Sequence, residues 1–210
     1  IAVVEAKAAY KKAGDGLQQA KEYAKTLDLR FVYSTNGHQI IEYDDISHTE
    51  KEIEKFPSPS ELWQRLKKGE GIVDTVGEKI LEPFHTIAGK TPRYYQEIAI
   101  NRAIREIYAN RKRILLTLAT GTGKTFIAFQ IIWKLWNQRW NRIGEYRRPK
   151  ILYLADRNVL IDNPKDNVFS DFGDVRWKIK GEAVKSRDLY FAIYQAIAED
   201  VNRKGLFKEY

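Results

Sequence analysis

The 210-residue sequence contains no cysteine and no methionine. Without cysteine there is no disulfide framework and no thiolate zinc site, a composition that fits a reducing compartment. The three histidines, His38, His48 and His85, form no ligand cluster by spacing and read as surface or packing residues. No uninterrupted apolar run approaches the roughly 18 residues that a membrane-spanning helix needs, and the amino terminus lacks the basic-then-apolar plan of a signal peptide. The expectation is a cytoplasmic protein with no membrane contact. The missing methionine extends to the first position. The chain opens inside the apolar run Ile1-Ala2-Val3-Val4, as expected of an internal fragment.

Hydrophobic residues make up 43% of the chain, enough to build one large domain or two small ones and to exclude a disordered chain. Lys and Arg number 36 against 28 Asp and Glu, a net charge of +8. That excess favours a polyanionic partner through counterion release, although a solvated surface of mixed charge explains most of these residues.

Patterning divides the chain into three segments. Residues 1–47 read as strand, loop, helix and hairpin. Ile1 to Ala6 is β-like, Leu17, Ala20, Ala24 and Leu27 recur at helical spacing, and Leu29 to Ser34 and Gln39 to Tyr43 flank the hairpin-turn pair Asn36-Gly37. Residues 48–90 are polar and read as a linker or helical insertion. There Ser58-Pro59-Ser60-Glu61 has the form of a capping box, launching a short helix around Leu62 to Lys67. Residues 91–210 alternate helix and strand. Helices are expected from Thr91-Pro92 to about Arg111 and from Lys124 to Trp136, with strands at Ile114–Leu118, Ile151–Ala155 and Leu189–Tyr194. Short, nearly all-apolar strands separated by helices predict an α/β fold with a parallel sheet covered on both faces.

Between the first of those strands and the helix after it lies Leu118-Ala-Thr-Gly-Thr-Gly-Lys-Thr125. The start of a helix offers free backbone N–H groups and partial positive charge, a natural seat for phosphate oxygens. Thr120, Gly121, Thr122 and Gly123 form the curl around them. Lys124 is placed to neutralise the β- and γ-phosphates, and the Thr125 hydroxyl to bind the Mg²⁺ that bridges them. The general pattern begins with glycine, and here Leu118 stands in that place. The plain alternative is a glycine-rich turn that only joins strand to helix.

With its surroundings, this loop resembles superfamily-2 DNA helicases and translocases. In that family a glutamine in the helix before the loop reads the adenine edge, and Pro92-Arg93-Tyr94-Tyr95-Gln96 supplies Gln96; otherwise Gln96 is a solvated helix residue. The resemblance implies ATP rather than GTP. The stretches Tyr153-Leu-Ala-Asp-Arg-Asn-Val-Leu160 and Phe191-Ala-Ile-Tyr-Gln195 resemble the next two family motifs, at strand ends where DNA crosses the sheet. That assigns Arg157 and Gln195 to DNA, gripping backbone phosphates without reading sequence. No Asp-Glu-x-His-like segment occurs before Tyr210. The expectation is therefore a first RecA-like motor domain cut before its Walker B pair, holding half an ATP site.

At the amino terminus, strand alternation puts Glu5 and Lys7 on one face. A carboxylate that binds Mg²⁺, with an ammonium two residues on, suits phosphodiester hydrolysis. Alone, such a pair is commonly a solvated ion pair. Gln19 and Tyr23, one helical turn apart, share a face of the following helix. Together, Val3-Val4-Glu5-Ala6-Lys7 and Gln19-Ala20-Lys21-Glu22-Tyr23 resemble the restriction-endonuclease (PD-(D/E)xK) core of type I restriction enzyme restriction subunits, with its Gln-x-x-x-Tyr element.

The order nuclease, linker, helicase-like motor also matches that subunit. The resemblance implies a type I site-specific deoxyribonuclease with Glu5, Lys7, Gln19 and Tyr23 as catalytic residues and Glu5 and Thr125 as metal contacts. It implies ATP-driven translocation on double-stranded DNA and Mg²⁺-dependent cleavage. It further implies methyltransferase and specificity subunits as partners, with S-adenosylmethionine bound elsewhere in the complex. The family's metal-binding Asp sits on an earlier strand, before Ile1. Two alternatives stand beside this one: a superfamily-2 repair translocase with a non-catalytic amino-terminal domain, and a nucleotide-switched DNA-binding module.

Overall fold

Alternation along Val3, Glu5 and Lys7 needs a partner strand to become structure, and the parallel neighbour is the most buried strand of the amino-terminal sheet. In the computed structural model, which describes residues 2–87, 89–141, 144–145, 147–180 and 184–197, β1 (Ala2–Ala6) pairs with β2 (Phe31–Thr35) in register Ala2↔Phe31 through Ala6↔Thr35. Ile1 and Tyr210 lie outside the described residues. Strands β3 (Ile40–Asp44) and β4 (Thr49–Ile53) continue the sheet antiparallel in the order β1-β2-β3-β4. Asn36 makes the β2–β3 turn: its Oδ1 accepts from His38 N and Gln39 N at 3.0 and 2.9 Å, and Gly37 takes the left-handed φ of 88° that such a turn demands.

Each face of this sheet carries a helix. Helix α1 (Leu17–Leu27) turns Leu17, Ala20 and Ala24 onto Val32, with Val3 and Ile41 beside them. Helix α2 (Pro59–Glu70) turns Leu62 and Leu66 onto Phe31 and Tyr33. The expected capping box is formed, with Ser58 N donating to Glu61 Oε2 at 2.7 Å and Glu61 N to Ser58 Oγ at 3.2 Å. Helix α2 runs past Lys67 and stops where Gly71 adopts φ 65°. A short helix, α3 (Asp74–Leu81), follows. Thr49–Ile53, read from sequence as linker, is instead the edge strand of the sheet. Its Thr-Glu-Lys-Glu-Ile run carries no apolar alternation, and its charged residues suit an edge open to water.

Arg65 braces α2 to the sheet. It grips Glu42 with two bonds of 2.9 and 3.0 Å and Asp44 with one of 2.7 Å, while Tyr33 Oη donates to Glu42 at 2.7 Å. Glu42 is buried, and burial alone would raise its pKa. The hydrogen bonds from Arg65 and Tyr33 hold it below its ordinary value instead.

The chain divides into two compact units after Leu81. In the second unit, α4 (Tyr94–Tyr108) and α5 (Lys124–Asn137) precede a three-stranded parallel sheet of β5 (Ile151–Ala155), β6 (Arg176–Lys178) and β7 (Leu189–Ile193), ordered β5-β7-β6. Two short helices, α6 (Val159–Asn163) and α7 (Tyr194–Ile197), follow β5 and β7. The core is aromatic: Phe129 meets Phe169 and Phe172 edge-on at 5.3 and 5.5 Å, and Phe169 meets Phe191 at 5.3 Å. Two expectations change here. Tyr194 opens α7 rather than closing β7. Ile114–Leu118 forms no strand, and Leu115 is 88% exposed, because a strand exists only beside a hydrogen-bonded neighbour and none among the described residues pairs with it.

Candidate functional site

Strand β1 and helix α1 bring the four amino-terminal candidates into one row. Lys7 Nζ donates to Glu5 Oε1 and to Gln19 Oε1, both at 2.9 Å, and Gln19 Nε2 donates to Tyr23 Oη at 2.7 Å. An ammonium can only donate, so the Gln19 oxygen must face Lys7 and its NH₂ must face Tyr23. The Tyr23 oxygen therefore accepts, and its own proton is left to point outward. The Tyr23 side chain is half exposed, whereas Glu5 and Lys7 are about four-fifths covered. One end of the row is thus sheltered and charged, and the other is a solvent-facing donor. Among the described residues Glu5 Oε2 accepts no hydrogen bond, which leaves it available to a hard cation.

The nucleotide loop is held by backbone. Gly121 and Gly123 adopt φ of 80° and 81°, a left-handed curl closed to most side chains, and α5 begins at Lys124. Thr122 Oγ1 donates to Ala119 O at 2.7 Å, and Lys124 Nζ to Leu118 O and Ala119 O at 3.0 and 2.8 Å. The lysine thus fills its own loop. Gln96 is buried rather than solvated. Its Oε1 accepts from Arg93 N at 2.9 Å, and its Nε2 donates to Thr122 O at 2.8 Å. Tyr95 Oη reaches the same carbonyl at 3.3 Å, a contact the sequence reading missed. Its only signal was adjacency to Gln96. Thr120 and Thr125 flank the curl, Thr125 in the first turn of α5.

Arg157 and Gln195 are exposed beyond the carboxyl ends of β5 and β7. Because Ala155 pairs with Ile193, the two stand at matching positions past adjacent parallel strands. Arg157 pairs with its neighbour Asp156, at 3.6 Å. His85 is packed: its ring lies 3.9 Å from that of Trp133 and its Nε2 is 2.6 Å from Asp171, while Gln130 bonds both its backbone N and O. Among the described residues, no group of three or more His, Asp or Glu side chains could close around a metal ion. Glu5 is the one carboxylate of the first row, so the donors present fit a hard divalent cation as a single contact rather than as a complete cage.

Residues 89–209 match the family described as type III restriction enzyme, res subunit. The whole chain is 40% identical to the endonuclease subunit of the type I restriction enzyme EcoAI from Escherichia coli, of which it spans 26%. Over an alignment of 149 positions that covers 63% of the chain, it is 31% identical to the EcoKI endonuclease subunit from Escherichia coli strain K12, of which it spans 11%. A solved fragment assigned to an HsdR subunit of a type I restriction enzyme from Vibrio vulnificus YJ016 superposes with a TM-score of 0.82 at 53% identity, over 94% of this chain and 35% of that one. The chain therefore spans about a quarter to a third of the length of these two longest matches.

Proposed function

Because the chain belongs to the restriction-enzyme res-subunit family and is a homologue of HsdR-type endonuclease subunits of type I restriction enzymes, we propose that it carries both the nuclease centre and the nucleotide loop of such a subunit. The intact protein hydrolyses ATP to move double-stranded DNA and cuts that DNA in a Mg²⁺-dependent step. The carrying observation is the hydrogen-bonded row Glu5–Lys7–Gln19–Tyr23 in the same chain as a glycine-curled loop ending in Lys124-Thr125.

Glu5 Oε2 would contact Mg²⁺, which when bound polarises the scissile phosphate. The Lys7 ammonium, held by Glu5 and Gln19, has a third N–H to offer the negative charge that develops as the phosphodiester is attacked. Gln19 fixes the ammonium in place, and Tyr23 offers its free proton to a neighbouring phosphate oxygen. In the second unit, ATP competes for Lys124: the β- and γ-phosphates replace the carbonyls of Leu118 and Ala119 as its partners. Thr125 would hold the Mg²⁺ of the nucleotide. Gln96, already bonded to the loop at Thr122, presents its remaining amide capacity to adenine. Arg157 and Gln195 hold DNA phosphates beyond the carboxyl ends of β5 and β7. The carboxyl part of the nuclease domain, drawn from sequence as residues 1–47, extends through β4 and α2 within the unit that ends at Leu81, and residues 91–210 belong to the first motor domain. Methyltransferase and specificity subunits are the partners, S-adenosylmethionine belongs to their part of the complex, and the setting is cytoplasmic.

The test is DNA-stimulated ATP hydrolysis and Mg²⁺-dependent DNA cleavage by the full-length protein assembled with its partner subunits. Both activities are expected. ATP turnover that DNA does not stimulate, with no cleavage, contradicts the proposal.

A further inference from the structure

Beneath the Glu5–Lys7 pair lies a contact that the chemistry above does not use. Gly16 ends a short turn, Ala13–Gly16, and leads into α1. Its φ of −93° and ψ of −10° are open to any residue, so backbone conformation does not require glycine here. Space does. A Cβ at position 16 would stand 2.6 Å from Ser34 Oγ, 2.8 Å from Glu5 Cγ and 2.9 Å from Lys7 Cε. Carbon atoms settle at about 3.5–4 Å, so these three side chains rest on the bare backbone of residue 16, closer than a methyl group permits. Gly14, in the same turn, is different: a Cβ there would meet nothing within 4 Å.

Ser34 holds the other end of the turn. It is fully buried, it is the register partner of Glu5 on β2, and its hydroxyl donates to Ala13 O at 2.5 Å. Two independent features therefore seat this turn against the strands: a hydroxyl bond at Ala13 and a missing side chain at Gly16. Gln19 and Tyr23 follow on the helix that the turn launches. The seat of the turn sets the gap across which Lys7 Nζ meets Gln19 Oε1.

We propose that Gly16 and Ser34 are positioning residues for phosphodiester cleavage, docking the start of α1 onto β1 and β2 so that Gln19 holds the Lys7 ammonium in place. This rests on the nuclease reading of Glu5 and Lys7. A methyl at position 16 must displace either the stems of Glu5 and Lys7 or the helix itself, and misplacing a catalytic group by about 1 Å costs on the order of 100-fold in rate.

The test compares Gly16→Ala, Gly14→Ala, Ser34→Ala and Lys7→Ala in the full-length protein, measuring DNA cleavage, DNA-stimulated ATP turnover and melting temperature. Gly16→Ala is expected to lower kcat for cleavage about 100-fold while KM for DNA, ATP turnover and melting temperature stay near wild type. Gly14→Ala, with the same change of backbone propensity, is expected to cleave normally. Ser34→Ala is expected to lose about tenfold in kcat, the effect of one hydrogen bond, and gives the same reading should Gly16→Ala fold poorly. If Gly16→Ala and Ser34→Ala cleave at full rate while Lys7→Ala is inactive, the positioning role is wrong and the nuclease reading stands. If cleavage, ATP turnover and melting temperature fall together, the two residues serve folding alone and the proposal is overturned. Full-rate cleavage by Lys7→Ala overturns both readings.

Discussion

The two candidate sites of this chain hold their key lysines in opposite ways. Lys7 is fixed by side chains, Glu5 two residues before it on β1 and Gln19 from the facing helix, so its position is decided by packing before any substrate arrives. Lys124 is held by main-chain carbonyls of its own loop, partners that phosphate oxygens can replace. A site built from interlocked side chains is organised in advance, and it breaks when its frame shifts. A site built from backbone curvature gives its lysine to its own carbonyls, and phosphate oxygens must take their place. The first is therefore expected to be sensitive to small displacements in the fold, and the second to loss of single ligand contacts.

Lys124→Ala breaks the comparison from the loop side and gives the largest effect: ATP turnover should fall by about 1,000-fold or more, by the magnitude typical of phosphate-stabilising groups, with melting temperature unchanged. A variant that still hydrolyses ATP at half the normal rate removes the loop from the account.

Arg65→Ala attacks the frame of the first unit without touching its row. It strands Glu42, which is buried, and should cost about 2 kcal/mol of stability, less than for a fully buried pair because Arg65 is about a third exposed. The carboxylates give the sign of the pH dependence. Burial opposes ionisation of both Glu42 and Asp44, but bonds from Arg65 hold both pKa values below their ordinary 4.5 and 3.8. That stability is present above those values and lost as pH falls through the depressed ones. Acid denaturation of the first unit should be shallower in Arg65→Ala, as followed by circular dichroism between pH 6 and about 2.

Lys134 offers the opposite sign in the second unit. Its side chain is buried with its ammonium 4.2 Å from the Phe84 ring centroid, and burial pushes its pKa down from 10.5 to about 8. Between those values the folded chain sheds a proton that the unfolded chain keeps, so stability rises with pH across that window, by up to about 1.4 kcal/mol per pH unit. Lys134→Met should flatten this rise. Urea melts followed by tryptophan fluorescence at several pH values would show it, since Trp63 alone of the five tryptophans lies in the first unit.

Tyr23→Phe makes the smallest change. It removes the hydroxyl at the exposed end of the row, both its outward proton and the oxygen that accepts from Gln19 Nε2, and a fall in cleavage kcat of about tenfold or slightly more is expected, the scale of one to two hydrogen bonds. No change would confine the row to Glu5, Lys7 and Gln19.

Much of the fold is legible wherever a local rule coincides with packing. Leu17, Ala20 and Ala24 at helical spacing mark α1 and its buried stripe, Asn36-Gly37 marks its turn, and Ser58 with Glu61 marks the start of α2. The elements that escape are those whose only signal is a partner. The polar run of β4 and the three residues of β6 become strands through the strands they pair with, β3 and β7, rather than through any pattern of their own. Ile114–Leu118 has the composition of a strand and no neighbour among the described residues. The site divides likewise. The facing of Glu5 with Lys7 and of Gln19 with Tyr23 follows from strand and helix periodicity. The bond from Lys7 to Gln19, the use of Gln96 as a brace on Thr122, and the three-way contact over Gly16 depend on how elements pack, which no periodicity encodes.

The central claim, that one chain carries two separable engines, is tested most directly by Lys7→Ala in the full-length protein, with ATP turnover and DNA cleavage measured in the same reaction. The expected result is DNA-stimulated ATP hydrolysis at the wild-type rate with cleavage reduced at least about 1,000-fold. Cleavage at the wild-type rate, or loss of both activities together, would contradict it.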